Sequence, residues 1–105
     1  MIVYICSPLR GDPPYTDYKT KRNLLEAAEH CKNAAKAGHT PIAPHLYFNG
    51  FLNDRYPDQR RLGMKMGNEL LRLCAEVWVF GKLISEGMKN EIALANEIGI
   101  PVIYK

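Results

Sequence analysis

Glu91 is an acid placed where a helix calls for an apolar residue. Met88, Ile92, Ala95 and Ile98 recur at helical spacing, and Glu91 falls within the same arc. A carboxylate on a mostly buried face loses hydration, which raises its pKa and its cost unless a partner or a function holds it there. It then suits nucleophilic or acid–base work. The plain alternative is a carboxylate at the edge of the stripe that reaches solvent or an arginine. Just before it, Ser85-Glu86-Gly87-Met88 leads from an apolar run into the helix, so Ser85 is a candidate N-cap. Free backbone N–H groups around Gly87 and Met88 offer a place for an anion. Capping alone accounts for the serine equally well, and the two roles are compatible.

A second group follows the first apolar run directly. Ser7-Pro8-Leu9-Arg10-Gly11-Asp12 supplies a hydroxyl, a guanidinium fork and a carboxylate. Surface turns often contain Arg, Gly and Asp, so this segment carries weight only through what lies near it. His45, Tyr47 and Phe48 offer apolar walls and polar tips for a heterocyclic base, or simply pack over the core.

The elements that must position these residues read as a strict alternation. Ile2–Cys6 is a short apolar run suited to a strand buried on both faces. Asn23–Ala37 is a helix with Leu24, Ala27, Ala28, Cys31, Ala34 and Ala35 on one arc and Gly38 as its cap. Thr40–Ala43 is a brief second strand, followed by an irregular stretch from His45 to Pro57. Asp58–Cys74 is a second helix, Val77–Phe80 a third strand, Gly87–Ile98 a third helix and Pro101–Tyr104 a fourth strand. The expected fold class is therefore α/β: a three-layer, flavodoxin/Rossmann-like parallel sheet of about four strands with helices on both faces. Ligands of such sheets bind beyond the carboxyl ends of the strands, which aims the loops 7–18, 45–54 and 81–88 at one crevice.

Composition narrows the classes further. At 105 residues the chain is expected to be one domain, residues 1–105, with one core. It is 47% hydrophobic and 24% charged, an ordinary globular balance. A net charge of +3 with scattered basic residues favours a small anionic ligand over duplex nucleic acid. Cys6, Cys31 and Cys74 lack metal-site spacing and read as reduced core thiols, with no metal or cofactor implied. Trp78 and the methionines at 64, 66 and 88 read as core. Strand residues begin at Ile2 and no run is long enough for a bilayer, so a cytoplasmic protein with no membrane partner is expected. The apolar and small positions of the second helix, including Leu62, Gly63, Met66, Gly67 and Leu70, cover more than half its circumference, which predicts a homodimer or higher homo-oligomer.

Tyr4-Ile5-Cys6-Ser7-Pro8-Leu9-Arg10-Gly11, with Ser85 to Glu91 and Ala93-Leu94-Ala95 leading to Gly99-Ile100-Pro101-Val102, resembles the nucleoside 2-deoxyribosyltransferase-like superfamily over almost the whole chain. Its first loop looks most like that of the 2′-deoxynucleoside 5′-phosphate N-hydrolases, with Ser7, Arg10 and Gly11 matching, and the chain is similar to short phage and bacterial members. The resemblance implies that Glu91 attacks the anomeric carbon, that Ser85, six residues earlier, holds a 5′-phosphate, and that water or a second base completes the turnover. It also places Asn68 where the hydrolases carry an aspartate, and an amide cannot donate an acidic proton. Asp12, Asp54 or Glu69 would have to supply it, and periodicity turns Glu69 toward the charged side with Lys65 and Arg72. The expected function is an N-glycosidase or deoxyribosyltransferase of a (deoxy)nucleoside or its 5′-monophosphate. The alternatives are a non-catalytic protein that sequesters a nucleotide or an ADP-ribose-type signal, and an interaction module with a vestigial crevice.

Overall fold

The computed structural model describes residues 1–105, with elements in the order β1 (Ile2–Cys6), α1 (Asp17–Lys36), β2 (Thr40–Ile42), α2 (Pro44–Phe48), α3 (Pro57–Leu71), β3 (Glu76–Val79), α4 (Glu86–Ile98) and β4 (Val102–Tyr104). The four strands form one parallel sheet in the order β2-β1-β3-β4. The expected α/β class with helices on both faces is the observed one. Chain connections run outward in opposite directions from the neighbours β1 and β3, so a crevice opens above their carboxyl ends.

Alternation along the central strands divides the core into two layers. Val3, Ile5 and Trp78 pack with Ala34 and Cys31 of α1 on one face. Tyr4, Cys6, Val77 and Val79 pack with Leu71 and Cys74 and with Met88 and Ala95 of α4 on the other. Because both faces are covered, β1 carries no polar alternation, and Val3 through Cys6 are all buried.

Several boundaries move for identifiable reasons. Helix α1 begins six residues before Asn23, because Thr16 caps it by accepting a hydrogen bond from the Lys19 N–H at 3.1 Å and Asp17 lies in its first turn. Those first turns are solvent-exposed and polar, so they lack the apolar period that marks the rest. The inward face of α1 is also rotated from the expected arc: Asn23, Ala27 and Ala34 are buried, whereas Ala28 and Ala35 are exposed. The stretch after β2 is not irregular throughout. Pro44 at the first helical position starts the one-turn-long α2, which is too short to show a period.

On helix α3, two of the residues of the expected helix-to-helix seam, Gly63 and Gly67, face inward. A Cβ on Gly67 would lie 3.6 Å from the Tyr4 hydroxyl, and one on Gly63 would lie 3.5 Å from Leu52, so both glycines face this chain's own interior. Leu62 and Leu73 are exposed, and Met64 is 39% exposed rather than core. The small residues thus serve close internal approach. Trp78 and Met88 are buried as expected. The cysteines are free thiols, and Cys6 and Cys74 belong to the same core cluster. No helix is long and apolar enough to cross a membrane.

Candidate active site

Above β1 and β3 lies a cavity of about 360 Å³, at the lower end of the range of about 300–1,000 Å³ for small-molecule sites. All three expected loops reach it. Ser7, Arg10, Gly11 and Asp12 enter from the β1–α1 loop, His45 and Phe48 from α2, Asn68 from α3, and Ser85, Gly87, Met88 and Glu91 from the start of α4. Tyr47 is the one expected site residue the fold turns away. It is 71% exposed and its ring meets Phe51 edge-on at 5.2 Å, while Phe48, on the adjacent residue of the short helix, takes the place in the wall.

Glu91 sits in the second turn of α4, where the helix passes behind β1. Burial pushes its carboxyl up to about 7, and the Tyr4 hydroxyl, as a donor to the charged form, partly counters the rise. Tyr4 is 4% exposed, and burial first, with the charge of Glu91 second, drives its own pKa well above the ordinary value. It therefore stays a protonated donor toward the carboxylate. The same surroundings push the Cys6 thiol up strongly, through burial and the charge of Glu91, so Cys6 remains a neutral core residue. Tyr4 carries no sequence signal of a site role beyond its place in an apolar strand. What reveals it is Gly67, whose missing side chain leaves α3 close to the hydroxyl.

Ser85 is the N-cap of α4, and its Oγ accepts from the Met88 N–H at 3.4 Å. Its own hydroxyl proton is left free for a ligand. Gly87 lies outside the left-handed region, and a Cβ added there would meet nothing within 4 Å. Neither backbone nor packing demands a glycine at this position, so its effect is to leave the helix N-terminus open to the cavity.

On the opposite wall, the Arg10 guanidinium donates through Nη1 to the Asp54 carbonyl oxygen at 3.1 Å and lies 4.0 Å from the Tyr15 ring centroid. Both partners are uncharged, and Arg10 belongs to none of the three ion pairs in the chain. Its position depends on Asn23, whose Nδ2 donates to the Leu9 carbonyl at 2.9 Å and anchors the loop. Gly11, at φ 73°, makes the turn beside it in a conformation that favours glycine. Asn23 is a site residue the helical pattern hides, since a buried polar residue at a helix face reads as an ordinary boundary. Arg60 and Asp54 also line the cavity, whereas Glu69 is exposed outside it.

His45, at the start of α2, lines the same cavity. Its Nε2 lies 3.1 Å from the Oγ of Ser7, which is 7% exposed, and burial lowers the imidazole to about 4, so the ring is neutral at physiological pH. Taken together, the cavity is lined by a carboxyl that titrates near neutrality, an open helix N-terminus and a guanidinium that belongs to no ion pair. That arrangement suits a polar, anionic ligand with an electrophilic centre between two grips.

Comparison with known proteins places the chain in a family. A family model spans residues 1–105. The chain is a DUF7768 domain, a domain of unknown function. No curated protein matches it. Among solved structures, the DUF7768 chain superposes on a 2-deoxyribosyltransferase from the psychrotolerant bacterium Bacillus psychrosaccharolyticus with a TM-score of 0.67 and 17% sequence identity, covering 99% of this chain and 71% of the other. The DUF7768 fold is thus that of a nucleoside 2-deoxyribosyltransferase.

Proposed function

We propose that the protein is an N-glycosidase or deoxyribosyltransferase of a nucleoside or nucleoside monophosphate, with Glu91 as nucleophile. The observation that carries this reading is the Glu91 carboxyl, raised to about 7 on the floor of the cavity beside the Tyr4 hydroxyl. A Glu91 oxygen attacks the anomeric carbon as the C–N bond to the base breaks, giving a glycosyl-enzyme ester. The departing base takes a proton from Asp12 or Asp54, whose side chains line the same cavity. Water, or a second base, then attacks the same carbon and frees Glu91. In this reading Ser85 and the N–H groups at the start of α4 hold the 5′-phosphate, and His45 and Phe48 wall the base.

A nucleotide panel incubated with wild type and Glu91→Ala tests it by chromatography of released base. Release abolished by the substitution supports the assignment, and release that persists in Glu91→Ala overturns it. A second reading, a binding protein that captures a nucleotide intact, is favoured by Asn68, an amide in the cavity where the resembling hydrolases have an acid. It predicts a ligand-induced rise in melting temperature with every ligand recovered unchanged.

A further inference from the structure

A second cavity, of about 480 Å³, adjoins the first on the side away from Ser85, between the start of α1 and the segment joining α2 to α3. The two share a sill made of Leu9, Arg10, Asn49, Leu52, Asp54 and Gln59. Within the second cavity Asp17 and Arg55 neutralise each other in an ion pair of 2.6 Å. Two charged residues of this cavity are then left outside the ion pairs, Arg10 and Asp54, both on the sill, and the Arg10 guanidinium bonds the Asp54 backbone carbonyl. The planar fork of an arginine is the side chain best suited to grip a phosphate from the side. The rest of the lining includes the polar side chains of Thr20 and Asn53 and the residue Phe51, which is 57% exposed. An exposed aromatic face in a polar groove is a platform for stacking a base.

We propose that the ligand of this protein is a dinucleotide, two nucleoside units joined through phosphate. One unit lies in the first cavity at Glu91, the bridging phosphate crosses the sill at Arg10, and the second unit lies in the second cavity against Phe51. The inference rests on the reading of the first cavity as a nucleotide site and extends it to the substrate class. It explains why Arg10 is held by a carbonyl and a ring rather than by an acid: a carboxylate partner would cancel the charge the phosphate needs.

Titration calorimetry with three probes tests it: a 5′-mononucleotide, a 5′-phosphorylated 3′,5′-linked dinucleotide and a pyrophosphate-linked dinucleotide. The expected result is at least tenfold tighter binding of the 5′-phosphorylated 3′,5′-linked dinucleotide than of the mononucleotide, since it alone of the three probes can place one phosphate at Ser85 and another at Arg10; the pyrophosphate-linked dinucleotide is expected to show no such gain. Thr20→Trp, which fills the second cavity, and Phe51→Ala, which removes the platform from an exposed position, are each expected to abolish that gain and leave mononucleotide affinity unchanged. Equal affinity for all three probes, unaltered by either substitution, overturns the dinucleotide assignment and leaves the nucleotide site standing. Failure of every probe to bind overturns both.

Discussion

The Oγ of Ser7 and the Nε2 of His45, thirty-eight residues apart in sequence, lie 3.1 Å from each other at the carboxyl end of β1. This contact ties the first loop to α2 and holds a neutral imidazole in the cavity that also holds a carboxyl titrating near neutrality. Two half-buried groups of opposite type thus share one site, and their titrations oppose each other.

For Glu91 the folded-state value of about 7 lies above the ordinary 4.5, so the fold favours the protonated form. Its contribution to stability is complete below pH 4.5 and lost as pH rises to 7, by up to about 3 kcal/mol at 1.36 kcal/mol per unit. For His45 the folded value of about 4 lies below 6.5, so the neutral form is favoured and stability is lost as pH falls from 6.5 to 4, by a similar order. The two slopes cancel between about pH 4.5 and 6.5. Urea denaturation over this window is expected to give a flat profile in wild type, a rising one in Glu91→Gln and a falling one in His45→Gln. Parallel profiles in all three proteins would refute the assignment.

Glycosyl transfer by Glu91 requires its ionised form. The rate at low substrate concentration is therefore expected to climb about tenfold per pH unit below 7 and to level off above it. A profile that falls with rising pH across 7 would make Glu91 an acid rather than a nucleophile.

Asn23→Ala leaves the Leu9 carbonyl without its donor and frees the loop that carries Arg10. A stability loss of about 1–2 kcal/mol is expected, together with weaker nucleotide binding. Loss of stability with unchanged affinity would show that the anchor does not position Arg10.

At Gly67 the size of the side chain should decide the sign. Alanine makes only an ordinary contact with the Tyr4 hydroxyl at 3.6 Å and improves helix propensity, so Gly67→Ala is expected to gain about 0.5–1 kcal/mol. Gly67→Leu must displace Tyr4 and is expected to destabilise the protein and to raise the Glu91 pKa further, because the Tyr4 hydroxyl lowers it, as read by carboxyl NMR titration. A leucine variant with the wild-type Glu91 titration would separate Tyr4 from the site.

The sequence by itself determined the alternation of strands and helices, the parallel sheet, and the chain positions of Ser7, Arg10, Ser85 and Glu91, because these are consequences of local period and of capping chemistry. An acid within an apolar stripe is visible wherever the stripe is long enough to count. Tertiary structure alone decided the rest. Helix α2 is too short to show a period, so only packing revealed that Phe48 and His45 turn inward and Tyr47 outward. Gly63 and Gly67 look the same in sequence whether they face a second helix or Tyr4, and only the assembled layers put Tyr4 and Leu52 against them. Asn23 and Arg10 acquire their roles through bonds to backbone carbonyls of other segments, and a carbonyl has no residue type by which a sequence could announce it.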